Sequence, residues 1–320
     1  MEEIDALFLA DLSVELNKHG YRMLEPLGKG GFATVYRIWS TKYEQDFVAK
    51  VIIGERDRET SRIEIEALIS LIHPNIISIY DHFTVGDSEV LCLEFCTGGT
   101  IADLVRREGP MSGNMFRKLA GQIATALKYC HDHHIAHRDI KPSNILIDKW
   151  GRPKLADFGL CHRNTSHDLL KDFCGSRVFM APELVNKQRY NPFKTDVWSL
   201  GVTFYFMVVG TVPFNTRNHK QRDKAISMGL YSFPASLEIP RDIIELIRRM
   251  MCVDPTRRYS IDNVCSSSAL QFDAPEKKKG RIRKHSSLIF INGGKLCGFQ
   301  KAGSPLTSDL ALPQTFALDK

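Results

Sequence analysis

The chain has 320 residues, of which 43% are hydrophobic and 25% charged, with 43 Lys+Arg against 37 Asp+Glu. These proportions exclude wholesale disorder and a fibrous repeat, and the length allows one large domain or two lobes with a tail. The formal charge of +6 is local: Lys277, Lys278, Lys279, Arg281, Arg283 and Lys284 fall within eight residues, and without them 37 basic residues face 37 acidic ones. A neutral body gives no reason to expect a nucleic-acid partner.

Taken in order, residues 1–20 place Ile4, Leu7, Phe8, Leu12, Val14 and Leu16 in an amphipathic helical pattern. From about residue 21 to 53 the pattern changes to short strands around a glycine cluster, ending in the β-rich run Val48 to Ile53. A charged helix is predicted over Arg56 to Ile72, with Ile63, Ala67, Leu68, Leu71 and Ile72 on one face. Ile76 to Tyr80 and Val90 to Phe95 read as strands. After Gly98-Gly99 the chain turns mainly helical. Asn114 to His133 is a long helix with Phe116, Leu119, Ile123, Leu127 and Cys130 inward, and further helices are predicted near 196–209 and 240–251. Leu146 to Leu155 reads as two short strands around a Gly/Pro turn. The longest apolar run, Leu200 to Phe214, is too short for a comfortable membrane span and is broken by Pro213. The pattern predicts an α+β fold, a small β-rich lobe over about 21–95 and a larger helical lobe over about 98–270. Residues 271–320 read as a basic, mostly flexible tail. Eight cysteines form no C-x-x-C pair, and the acidic N-terminus lacks a secretory n-region. A cytosolic or nuclear compartment is therefore expected.

Three groups of residues carry chemistry. Gly28-Lys29-Gly30-Gly31-Phe32-Ala33-Thr34-Val35 lets backbone amides approach phosphate oxygens. Lys50 ends a predicted strand, and a lysine that meets phosphates needs a carboxylate to aim it. Glu64 fits the helical register for that task; Glu66 is the competitor. The strongest signal is His137-Arg138-Asp139-Ile140-Lys141-Pro142-Ser143-Asn144, followed 13 residues later by Asp157-Phe158-Gly159. Asp139 can accept a hydroxyl proton and Lys141 can offset charge on a transferring group. Asn144 and Asp157 supply hard oxygens suited to Mg²⁺.

On these residues, positions 21–270 resemble a eukaryotic protein kinase domain of the serine/threonine branch. Ala181-Pro182-Glu183, Asp196-Val197-Trp198-Ser199-Leu200-Gly201 and Arg258 match further elements of that family in order. Lys141 is similar to the serine/threonine rather than the tyrosine branch. His73 to Ile77, Cys174 to Ser176 and Asp196 to Val202 look closest to the calcium/calmodulin-dependent and AMP-activated kinase group. The resemblance implies a bilobal protein kinase fold, ATP and Mg²⁺ as cofactors, and protein serine or threonine hydroxyls as acceptors. It implies an ATP site of Leu27, Gly28, Gly30, Val35, Val48, Lys50, Glu64, Glu94, Cys96 and Leu146, with Leu93 as gatekeeper. It implies Asp139 and Lys141 as catalytic residues, Asn144 and Asp157 as metal ligands, and an ion pair between Glu183 and Arg258. The alternative class is a pseudokinase-type scaffold or binding module, against which every required catalytic residue is present.

Several positions depart from the family pattern. Val48 stands where alanine is usual, and its methyls crowd the expected adenine ceiling. Arg177 stands where proline is common, in the loop expected to meet the substrate beside the phosphoacceptor. Thr100, Ser143 and Phe206 hold no acid to grip a substrate arginine, so no preference for arginine at −3 is expected. The position that would carry an activating phosphothreonine, four residues before Ser176, is Asp172, which either pairs with Arg138 and partly orders the segment unaided or is a solvated acid on a mobile loop, with Thr165 and Ser166 as alternative phosphosites. His131, His133 and His134 are expected to be solvated or cationic at a helix end. His137 is expected to pack on Phe158, and Cys161 to be a small semi-buried thiol. Arg281 to Ile291 sets charge beside Leu288, Ile289, Phe290 and Ile291, which would suit a calmodulin-like or acidic protein partner.

Overall fold

The computed structural model describes residues 6–29, 33–53, 58–166, 168–216 and 218–271. Gly30 and the basic stretch Lys277 to Lys284 lie outside the described residues. Helix α1 spans Ala6–Lys18 and leads into five antiparallel strands, β1 Tyr21–Lys29, β2 Ala33–Ser40, β3 Gln45–Ile52, β4 Ile79–Val85 and β5 Ser88–Glu94. Their order across the sheet is β1-β2-β3-β5-β4. Helix α2, Arg58–Ser70, lies between β3 and β4 in the chain.

Alternation along the strands gives the sheet two faces. Tyr36 and Ile38 of β2, with Phe47, Ala49 and Val51 of β3, bury against Val90, Cys92 and the helix α1. Leu12 and Leu16 of α1 are fully buried in this layer, while Leu7 and Val14 of the same helix are exposed. The amphipathic N-terminal segment therefore covers the outer face of the sheet. Val35, Val48 and Lys50 point the other way: Val35 pairs with Lys50 across β2 and β3, and Val48 pairs with Leu93 across β3 and β5.

Two sequence expectations shift here. On α2, Arg58–Ser70, Ala67 and Leu68 are buried as predicted but Ile63 is exposed; Leu71, buried, and Ile72, exposed, lie past its end. The buried stripe runs instead through Ser61, Glu64 and Ile65, because α2 turns the buried carboxylate of Glu64 toward Lys50. The predicted strand at Ile76 begins later, at Ile79. Ile76 and Ile77 are diverted to Leu155, whose carbonyl accepts the Ile77 N–H at 2.9 Å. β4 then continues through Asp81 to Val85, where a turn at Gly86 (φ +56°) returns the chain to β5.

The second lobe begins at α3, Ile101–Glu108, whose Thr100 cap forms a reciprocal capping box with Asp103. Helix α4, Gly113–Asp132, buries Phe116, Leu119, Ile123, Leu127 and Cys130, the predicted face. The short strands are β6 Ile135–Ala136, β7 Ile145–Ile147, β8 Pro153–Leu155 and β9 His162–Arg163. Helix α5, Pro182–Val185, precedes α6, Pro192–Val209. α6 starts at an Asn191 cap with Pro192 in its first turn and stops at Gly210 in a left-handed conformation (φ +85°). It is buried nearly all round, which accounts for its apolar run. Among the described residues no helix is long and apolar enough to cross a membrane. Helix α7 spans His219–Met228 and α8 spans Arg241–Met250. A Cβ at Gly201 would sit 2.8 Å from Met251 Cγ and 3.0 Å from Met250 Cβ, so glycine lets α6 approach the end of α8.

Because Leu16 sits fully buried between α1 and the sheet, Leu16→Ala is expected to lower unfolding free energy by about 2–4 kcal/mol. Urea denaturation measures it, and a loss under about 1 kcal/mol would mean α1 is peripheral to the core.

Candidate active site

Lys50 joins three separate parts of the chain. Its Nζ donates to Glu64 Oε1 at 2.8 Å and Oε2 at 2.9 Å, and to Asp157 Oδ1 at 3.1 Å. Burial alone would push the Lys50 pKa down, but the two carboxylates outweigh it and hold it above the ordinary lysine value. At Asp157 burial is likewise outweighed, by Lys50, and its carboxyl lies below the usual aspartate range. Glu64 is 2% exposed, whereas Glu66 faces solvent and pairs with Arg62. The structure thus chooses between the two candidate carboxylates.

The loop from His137 to Asn144 gathers on Asp139. Its Oδ2 accepts from Lys141 Nζ at 2.6 Å and from the Asn144 side-chain nitrogen at 3.0 Å. Its Oδ1 accepts the Ser176 N–H at 3.0 Å. Lys141 Nζ also donates to Ser176 Oγ at 2.9 Å. Gly175 (φ +98°) makes this approach feasible, since a Cβ there would lie 2.6 Å from the Arg138 carbonyl oxygen. Asn144 also donates to the Asp139 carbonyl at 3.0 Å, and its own carbonyl accepts the Ala156 N–H at 2.9 Å. This last bond ties the loop to the residue before Asp157.

Arg138 and Asp157 both adopt left-handed backbone angles, φ +66° and +65°. Such conformations cost about 1–3 kcal/mol and need surroundings that enforce them. For Arg138 the enforcing group is Asp196, 1% exposed in the early turns of α6. Its Oδ2 accepts the His137 N–H at 2.8 Å and its Oδ1 accepts the Arg138 N–H at 2.8 Å. His131 Nε2 completes the cluster, 2.9 Å from Asp196 Oδ2. His131 is therefore not a solvated end-of-helix histidine; its side chain is largely buried on Asp196. His137 stacks obliquely on Phe158 with ring centroids 4.7 Å apart, and its Nε2 lies 3.0 Å from the Ala156 carbonyl oxygen.

Arg138 also reaches the segment after β9. One guanidinium nitrogen lies 2.7 Å from Asp172 Oδ2, and another contacts Cys174 Sγ. The Tyr190 hydroxyl donates to the Asp172 carbonyl at 2.7 Å, and Leu170 bridges to Tyr190. Farther along, Arg258 and Glu183 form a buried two-pronged pair at 2.7 and 2.9 Å. Arg258 also lies over the Trp198 ring.

The residues proposed for a purine wall line the same side of the sheet. Val35, Val48 and Leu146 are partly buried, and Leu93 is buried at the edge of β5. Leu27 and Gly28 are exposed at the end of β1. The Glu94 side chain is held by Lys154 at 2.8 Å. Burial pushes the Cys96 and Cys161 thiols up to about 12, so both are small protonated fillers rather than nucleophiles. Gly98 and Gly99 exchange backbone bonds with Ile147 at 2.9 and 2.8 Å, fixing the joint between the lobes.

The sequence model described as Protein kinase domain matches residues 21–270. The chain belongs to the protein kinase domain family. Among relatives of this kinase chain, NUAK family SNF1-like kinase 2 of Homo sapiens is 33% identical over 313 residues, covering 90% of this chain and 49% of that protein. NUAK family SNF1-like kinase 1 of Homo sapiens is 37% identical over 255 residues, covering 78% and 38%. Putative sperm motility kinase W of Mus musculus is 36% identical over 245 residues, covering 76% and 49%. The chain spans about half or less of the length of these relatives.

Sequence reasoning placed Asp196 at the start of a buried helix and missed its hold on the loop. The available signal was an acid inside an otherwise apolar helix, since a buried charge demands partners. It also missed the link from Ser176 to Lys141 and Asp139. Asp196→Ala removes the acceptor of two backbone N–H groups and a histidine. The expected loss is about 3–5 kcal/mol of unfolding free energy, read by chemical denaturation.

Proposed function

We propose that this chain is an ATP-dependent protein serine/threonine kinase. The observation that carries the reading is Lys50 held by Glu64 and Asp157, beside an Asp139 already bonded to Lys141, Asn144 and Ser176. Lys50 binds nucleotide phosphates, Glu64 aims it, and the exposed backbone at Leu27 and Gly28 is available to them at the end of β1. Val35, Val48 and Leu146 enclose the base, with the Glu94 and Cys96 backbone beside it.

Asp139 accepts the proton of a substrate hydroxyl as that oxygen attacks the γ-phosphorus. The bond from the γ-phosphorus to its bridging oxygen breaks and ADP departs. Lys141 sits on the same carboxylate and can follow the negative charge onto the transferring group. The donor set fits Mg²⁺: with the Asn144 nitrogen engaged by Asp139, its amide oxygen and the half-exposed Asp157 carboxylate are the hard ligands left for it. Two protein ligands suit an ion that completes its shell with phosphates and water. Bound there, Mg²⁺ would neutralise phosphate charge.

Nothing in this donor set favours a binding-only scaffold. The Arg138–Asp172 pair supports a further reading, that the segment between Asp157 and Glu183 is ordered without a phosphate. An aspartate supplies one negative charge where a phosphate supplies about −1.5 to −2.

Wild-type chain should label a generic serine peptide from ATP in the presence of Mg²⁺. Asp157→Asn should reduce this to background while the chain stays folded by circular dichroism. Equal labelling by both proteins would refute the kinase reading. In phosphate-free enzyme, Asp172→Ala should lower kcat about tenfold, the worth of one charge-assisted hydrogen bond, with Asp172→Glu retaining most of it. Undiminished kcat in Asp172→Ala would reduce Asp172 to a solvated acid.

A further inference from the structure

The surface beside Ser176 is cationic although the body of the chain is neutral. Arg177 follows Ser176, whose N–H and hydroxyl contact Asp139 and Lys141. Consecutive Cα atoms lie 3.8 Å apart, so Arg177 stands one backbone step from the group that touches the proposed base. Its side chain is more than half exposed and is fixed by α7: Nε donates to Asp223 Oδ1 at 3.1 Å and a terminal nitrogen to Asp223 Oδ2 at 2.6 Å. These bonds use two of the five N–H groups of the guanidinium. The remainder can serve a second acceptor.

Three acids near Ser176 are paired: Asp139 with Lys141, Asp172 with Arg138 and Asp223 with Arg177. Basic side chains outnumber acids on the neighbouring helix and loop. Helix α7 carries Lys220, Arg222 and Lys224 against the single acid Asp223. Arg222 is turned toward His219 rather than toward a carboxylate. Lys187 and Arg189 are exposed on the loop after α5, which α7 reaches through Ser227 and Asn186. Thr100, Ser143 and Phe206 carry no charge to hold a basic substrate side chain.

We propose that Arg177, anchored by Asp223 and reinforced by Arg222 and Lys220, is a specificity-determining residue that selects an acidic side chain close to the phosphoacceptor. The substrate class is a protein segment with Asp or Glu within about two residues of the acceptor serine or threonine, the distance an extended peptide covers at 3.3–3.6 Å per residue. This names the substrate of the kinase proposed above and rests on that reading. Fixing Arg177 in advance limits the side-chain entropy lost when the acid binds.

The test is solution kinetics of the full chain on a serine peptide set in which each position from −3 to +3 is Asp, Ala or Lys in turn. At one or two positions next to the acceptor, Asp should raise kcat/KM about fivefold over Ala, the upper range for an exposed ion pair. Lys should lower it by a similar factor. The gain should appear in KM and shrink as salt is raised. The paired swap Arg177→Glu with Asp223→Arg keeps an ion pair while reversing the sign at 177, and should reverse the Asp-to-Lys ratio. Lys220→Glu with Arg222→Glu leaves the Arg177–Asp223 pair in place and should bring the ratio toward one. Phosphorylation that is indifferent to Asp, Ala and Lys at every position overturns the acid-directed surface and leaves the kinase reading standing. A ratio unmoved by both double variants also overturns it. Failure to phosphorylate any peptide overturns both.

Discussion

The ion pair between Lys50 and Glu64 is the constraint on which the rest of the site depends. A buried ammonium is costly unless it is paired. Lys50 meets that cost with Glu64 from α2 and Asp157 from the loop beyond β8. Three segments distant in sequence are thereby fixed to one nitrogen. The sheet supplies the lysine through strand alternation, which puts Lys50 and Val48 on one face and Ala49 on the other. Helix α1 covers that other face, so the orientation of β3 is settled by apolar burial before any charge is matched. A slip of one residue in β3 would exchange Lys50 and Ala49 between the faces and dismantle both arrangements.

A second carboxylate, Asp196, does for the loop from His137 to Asn144 what Glu64 does for Lys50. It sits in a helix that is otherwise apolar and accepts two successive backbone N–H groups. That hold stabilises Arg138 in its left-handed conformation, which in turn directs its guanidinium toward Asp172. Order therefore passes from a buried helix to a strained loop and then to a surface segment. The segment closes the circuit, because Ser176 returns to Asp139 and Lys141. Each link is a charge-assisted hydrogen bond, the class least easily replaced by water.

Much of this was legible in the amino-acid sequence. Helix α4 and its buried face followed from 3–4-residue periodicity, and Glu64 was preferred over Glu66 by the same reasoning. The Glu183–Arg258 pair and the packing of His137 on Phe158 followed from the family resemblance and residue chemistry. The misses share a cause. Ile63, Ile72 and the start of β4 were misplaced because local pattern cannot see tertiary partners: Glu64 reset the buried stripe of α2, and Leu155 diverted Ile76 and Ile77. The sequence allowed His131 to be solvated or cationic at the helix end, and its buried partner, Asp196, was out of view 65 residues away. Arg177 was visible as a departure from the family pattern, but its meaning came only with Asp223 on α7.

The central claim is that this chain is assembled for phosphoryl transfer with an aspartate in the place of an activating phosphate. The most direct measurement is the initial rate of peptide phosphorylation by wild-type chain shown by intact mass to carry no phosphate. The account predicts a linear progress curve without a lag, and no gain in rate after preincubation with ATP and Mg²⁺ or with an upstream kinase. An enzyme that is silent when phosphate-free and becomes active only as it gains phosphate would contradict it.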